Sequence, residues 1–146
     1  TAGLDPIVRR EFIEAVIGAY QEGDPGRRTV FVSTHLIAEF EGLIDEFTII
    51  EDGRAVLSAD ADRAREHYQK VYARFAAPLR GTLDLGAARV LKQNGREIEV
   101  LAEGDAERVV ERLKTRSPEV IKTESLTLEE IFVAALQPAR GSAALA

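Results

Sequence analysis

Ser33-Thr34-His35 is a cluster of residue types suited to chemistry. It directly follows Thr29-Val30-Phe31-Val32, a short apolar, β-branched run that reads as a buried strand. A polar cluster at the carboxyl end of such a strand stands where open α/β sheets bind ligands. An imidazole there can donate to a phosphate oxygen. A helix beginning near Leu36 would offer free backbone N–H groups beside it. The second cluster is Gly3-Leu4-Asp5-Pro6. Its first role is structural: Asp5 can cap a helix, and Pro6 suits the first helical position. Taken singly, a His after a strand and a Gly-Leu-Asp-Pro start are each most often structural.

The elements that would position these residues follow from periodicity. Ile7, Phe12, Ile13, Val16 and Ile17 recur at helical spacing, predicting an amphipathic helix to about Gln21. Gly23-Asp24-Pro25-Gly26 ends it. Leu36 to Leu43 is expected to be helical, with Glu39 and Glu41 facing out. Phe47-Thr48-Ile49-Ile50 reads as a strand, and Asp52-Gly53 as a two-residue hairpin turn returning through Arg54-Ala55-Val56-Leu57. The order helix, strand, helix, strand, strand is that of the last portion of an α/β core with a parallel central sheet. It is not a whole one, because a single strongly buried strand plus a hairpin cannot make such a sheet.

The pattern shifts near Ser58. Ala59 to Glu66 is expected to form a short linker helix. Lys70 to Phe75 alternates, with Val71, Ala73 and Phe75 on one face. Gln93-Asn94-Gly95-Arg96 signals a type I′ hairpin that would set Lys92 opposite Glu97 and Leu91 opposite Ile98. Asp105 to Arg116 reads as a helix buried through Val109, Val110 and Leu113. Val120-Ile121 reads as a strand. Thr127 and Glu130 have the spacing of a capping box, opening a helix through Ile131, Phe132, Ala135 and Leu136. Residues 67–137 are thus expected to form a small α+β domain, an antiparallel sheet with helices on one face. Residues 138–146 are expected to be a disordered tail. His67 has no motif around it and reads as an ordinary polar residue.

Composition narrows the partners. The chain has 146 residues, 45% hydrophobic and 30% charged, as in globular proteins. No run of about 18 apolar residues suggests a membrane-spanning helix. Cysteine is absent, which excludes disulfides and thiolate metal sites. Residues 1–58 carry five basic and eleven acidic groups, whereas residues 59–146 carry fourteen of each, so the net charge of −6 falls on the first part. Nucleic-acid binding needs a basic face, and none is visible.

Together the two clusters are more specific than either alone. Thr1-Ala2-Gly3-Leu4-Asp5-Pro6, then Ser33-Thr34-His35, an acidic helix and the Asp52-Gly53-Arg54 hairpin closely resemble the ATP-binding subunits of ABC transporters. The resemblance covers about residues 1–58. It implies that Gly3, Leu4 and Asp5 are the D-loop, lying at a dimer interface, and that His35 is the switch histidine, contacting the γ-phosphate and the attacking water. Asp5 would reach toward the partner's phosphate loop, and Ser33 and Thr34 would position His35. Ser125-Leu126-Thr127-Leu128-Glu129-Glu130-Ile131-Phe132 resembles, more loosely, the last helix of C-terminal extensions in exporter-type members. The implied fold is α/β: a C-terminal remnant of a P-loop ATPase core, followed by the small α+β domain.

The same resemblance implies ATP and Mg²⁺ as cofactors of a full-length parent, and a second ATP-binding subunit and transmembrane permease subunits as partners. It also implies a cytoplasmic, peripheral location on the inner face of the cell membrane. The departures are equally clear. The chain has no G-x-x-x-x-G-K-[ST] loop, no signature sequence and no Walker B acids. Phosphoryl transfer needs phosphate donors, metal ligands and a group that orients water. The expectation is therefore a fragment beginning at the D-loop that neither binds ATP tightly nor hydrolyses it alone, and that itself holds no metal. Two other classes compete with it: a free-standing regulatory or dimerisation module, and a soluble ABC-type ATPase acting on ribosomes or DNA.

Overall fold

The computed structural model describes residues 3, 5–24, 26 and 28–137. The chain is of mixed α and β structure and divides into two compact units, residues 1–43 and 44–146.

The first unit is built on α1 (Pro6–Gln21). Its start follows from local chemistry: the Asp5 carboxylate accepts from the Ile7 N–H at 2.9 Å, and Pro6 occupies the first turn. It ends at Glu22, whose N–H bonds the Gly18 carbonyl at 3.0 Å. Ile13 is the only fully buried side chain among the unit's described residues.

The strand expected at Thr29–Val32 does not form. Residues 28–34 have no regular secondary structure, and Phe31 is 89% exposed. A buried strand needs neighbours on both edges and cover on both faces. Neither sheet among the described residues includes this segment. The helix expected from Leu36 to Leu43 shortens to one 3-10 turn at Ile37–Phe40. Gly42, at φ +79°, turns the backbone out of helical geometry just after it.

The second unit begins with a hairpin, β1 (Glu46–Glu51) and β2 (Arg54–Asp60). Asp52 and Gly53 both take positive φ, as a type I′ turn requires. The hairpin leads into α2 (Ala61–His67), capped by the Asp60 side chain. A four-stranded antiparallel sheet follows: β3 (Tyr68–Arg74), β4 (Arg89–Asn94), β5 (Glu97–Glu103) and β6 (Val120–Ser125), in spatial order β4-β5-β3-β6. β3 lies between β5 and β6, which run parallel to each other and are joined through α3 (Ala106–Lys114). The final helix is α4 (Leu128–Leu136). Its capping box forms as expected: the Glu130 N–H donates to Thr127 Oγ1 at 3.2 Å, and the Thr127 N–H to Glu130 Oε2 at 2.9 Å. The hairpin groups with the second unit, and α2 and α4 pack against β2.

One face of the sheet carries the main core. Val71, Ala73, Phe75, Ile98, Val100 and Ala102 meet Val109 and Leu113 of α3, with Leu85 from the loop after β3. The expected alternation of Val71, Ala73 and Phe75 is thus met. Helices do not share that one face, however. Lys70 and Leu101 are register partners, and strand alternation turns them away from Val71 and Val100. Glu130 of α4 bonds Lys70 at 3.3 Å, so α4 lies on the opposite side from α3. Arg89, paired with Leu101, donates to the Ala134 carbonyl at 2.7 Å and to the Gln137 carbonyl, holding the end of α4 there.

The β4–β5 hairpin differs by one position from expectation. Asn94 pairs with Glu97 and Gln93 with Ile98, so the turn residues are Gly95 and Arg96. Gly95 alone is left-handed, at φ +56°, which matches a type II′ turn with Gly first. A bulge at Leu91 absorbs the offset. Leu91 is left 44% exposed, and Gln93 takes the position beside Ile98, its Oε1 buried without a hydrogen-bond partner. Residues 138–146, expected to be a disordered tail, lie outside the described residues.

Candidate functional site

The first cluster sits on the approach to α1. Gly3 takes φ +93°, a conformation that L side chains rarely adopt, so glycine is needed there. Leu4 lies outside the described residues. Asp5 is exposed, and its carboxylate serves as the N-cap of α1. One oxygen is engaged by the Ile7 N–H, which fixes the carboxylate at the helix end and leaves it open to water.

The second cluster sits on irregular backbone leading into the 3-10 turn. Ser33, Thr34 and His35 are all exposed. Thr34 Oγ1 accepts from the Leu36 N–H at 2.9 Å, a side-chain turn that bends the chain at His35. The helix N-terminus expected just after His35 is only a 3-10 turn, and Leu36 at its start makes no side-chain cap. His35 and the carboxylate of Asp5 are not joined by any hydrogen bond or ion pair among the described residues.

The two segments are tied by residues that sequence reasoning did not single out. Arg9 Nη1 donates to Glu39 Oε1 at 2.7 Å, with the two side chains only 17% and 30% exposed. Arg9 lies one turn beyond Asp5, and its N–H bonds the Asp5 carbonyl at 2.9 Å. Glu39 lies four residues beyond His35, in the 3-10 turn. The ion pair therefore joins the start of α1 to the segment that carries His35. Glu39 was expected to face solvent; its partner thirty residues away turns it inward instead. No spacing rule along the chain signals such a pair.

Chemically, the described part of these clusters offers one imidazole, two hydroxyls and one carboxylate, all solvent-accessible. Among the described residues, no group of three His, Asp or Glu side chains converges as a cation site. With no phosphate-cradling loop in the sequence either, these residues do not by themselves form a site for a magnesium nucleotide. A groove of about 460 Å³ lies in the second unit between α3 and the β3–β6 edge, lined by Gln69, Val110, Glu111, Lys114 and Thr123 among others. None of the residues of the two clusters lines it. No described helix is long and apolar enough to cross a membrane.

No family model matches the chain. Over 58 residues, the chain is 36% identical to a putative ABC transporter ATP-binding protein of Mycoplasma pneumoniae. The aligned stretch is 40% of this chain and only 17% of that protein's length, a partial likeness that supports a relationship to ABC ATPases.

Proposed function

We propose that this chain is part of the ATP-binding subunit of an exporter-type ABC transporter. The observation that carries the reading is the partial identity to an ABC transporter ATP-binding protein. The Arg9–Glu39 pair adds support, because it ties the segment that the resemblance directs to the partner's phosphate loop to the segment that carries the switch histidine. In this reading, residues 1–58 are the C-terminal part of the ATPase domain, 59–66 a linker helix and 67–137 an accessory domain. Gly3, Leu4 and Asp5 form the D-loop at the interface with a second ATP-binding subunit. His35 is the switch histidine, presenting its imidazole to the γ-phosphate side of a site completed by residues outside this sequence. Thr34 and Ser33 hold that imidazole in place. The parent would use ATP and Mg²⁺, pair with permease subunits and sit on the cytoplasmic face of the membrane.

Residues 1–146 alone are expected to show no micromolar binding in an isothermal titration with Mg-ATP; saturable micromolar binding would show that the nucleotide site is complete here. In a full-length subunit reconstituted with its permease, His35→Ala is expected to abolish turnover with little loss of ATP binding. Unchanged turnover would sink the switch assignment.

A further inference from the structure

We propose that the outer edge of β6 pairs with β6 of a second copy of this chain, giving a two-fold symmetric dimer with one continuous eight-stranded sheet. This rests on the second unit alone and is independent of the ATPase reading.

β6 lies at one end of the order β4-β5-β3-β6, so among the described residues nothing pairs with its outer side. The direction of its free groups follows from the ladder. Phe75 N–H bonds the Arg96 carbonyl at 2.9 Å, and Gly104 N–H bonds the His67 carbonyl at 2.8 Å. Odd-numbered residues of β3 therefore turn their backbone groups to β5, and even-numbered ones turn theirs to β6. The register Tyr72↔Lys122 then makes 120, 122 and 124 the residues bonded to β3. Ile121, Thr123 and Ser125 point their N–H and C=O groups outward, a template for another strand.

The side chains select the partner and the register. Lys122 and Glu124 project from the same face, opposite to Thr123. Two copies related by a two-fold axis perpendicular to the sheet keep like faces together. Centring that axis on Thr123 sets Lys122 of each copy against Glu124 of the other, twice, and Thr123 against Thr123. Moving the centre by one residue opposes Lys122 to Lys122 or Glu124 to Glu124. Opposite charges across a strand pair stabilise it and like charges oppose it, so the strand is complementary to itself in one register only. Lys122 has no ion-pair partner among the described residues. Glu124 stays half exposed, with Lys70 at 3.9 Å. The groove beside Thr123 and α3 leaves room on the core face for the partner's Ile121 and Thr123 side chains. At the other edge, the bulge at Leu91 interrupts β4, so pairing closes at two copies rather than extending.

The test is charge reversal read by sedimentation equilibrium on the full chain. Lys122→Glu and Glu124→Lys are each expected to weaken dimerisation by about tenfold or more, because two cross-strand pairs change sign. The double variant, with the charges exchanged, is expected to dimerise as the parent does. Thr123→Pro, which removes an outward N–H while sparing the bonds to β3, is expected to be monomeric with unchanged circular dichroism. A parent that is monomeric up to its solubility limit would overturn the proposal. So would self-association unaffected by either single reversal, the result expected if the exposed apolar residues of the first unit hold the copies together.

Discussion

The two units use apolar residues in opposite ways. In the second, Val71, Ala73, Val100, Leu101, Leu113 and Ile131 are wholly out of water, and caps, hairpin turns and strand alternation agree with that burial. In the first, Ile7 is 69% exposed, Phe12 53% and Phe31 89%, and Ile13 alone is buried among the described residues. Composition does not explain the contrast, since both segments carry strong apolar patterns. What differs is whether the described chain supplies the opposite wall. β3 finds β5 and β6 on its two edges and α3 above it, whereas Val30-Phe31-Val32 finds no strand at all. An apolar run is thus a conditional instruction, carried out only where partners complete the layer.

The sharpest way to break this comparison is a pair of substitutions. Leu113→Ala should destabilise the second unit by roughly 2–5 kcal/mol, the cost of emptying a filled core position. Phe31→Ser should change stability by less than about 0.5 kcal/mol. Urea unfolding followed by circular dichroism checks both, and a Phe31 effect as large as that of Leu113 would mean that the first unit has a hidden core. A smaller effect is expected at the start of α4: Thr127→Ala removes the cap and should cost about 1 kcal/mol in the same measurement.

The smallest effect concerns pH. The Thr127 N–H first, and Lys70 after it, hold the Glu130 carboxyl below its ordinary value of 4.5. Because the folded value is depressed, the contribution is present above about pH 4.5 and is lost as the pH falls through the folded value. Glu130→Gln should therefore flatten the acid limb of the stability profile by a modest amount, since the group is largely exposed. An unchanged acid limb would show that the cap carries no charge-dependent stabilisation.

The candidate site was legible in proportion to how local its physics is. Asp5 as a helix cap depends on an atom two residues away and follows from residue type alone. The Arg9–Glu39 tie was not legible, because the thirty residues between its ends carry no periodic signal. The expected helix N-terminus beside His35 failed for a related reason: its apolar pattern presumed a layer to pack against.

By itself, the sequence determined the elements whose free energy is spent within a few residues. These are the Asp5-Pro6 start of α1, the Asp52-Gly53 turn, the Val71-Ala73-Phe75 alternation and the Thr127–Glu130 capping box. Tertiary structure decided what depends on distant partners. It left Thr29–Val32 without a sheet and set α3 and α4 on opposite sides of the sheet. It also slid the β4–β5 turn to Gly95-Arg96, with a bulge at Leu91 that brings Gln93 rather than Leu91 opposite Ile98. Caps and turns are satisfied by neighbouring backbone groups, whereas register and burial are settled only when a second strand or helix arrives to compete with water.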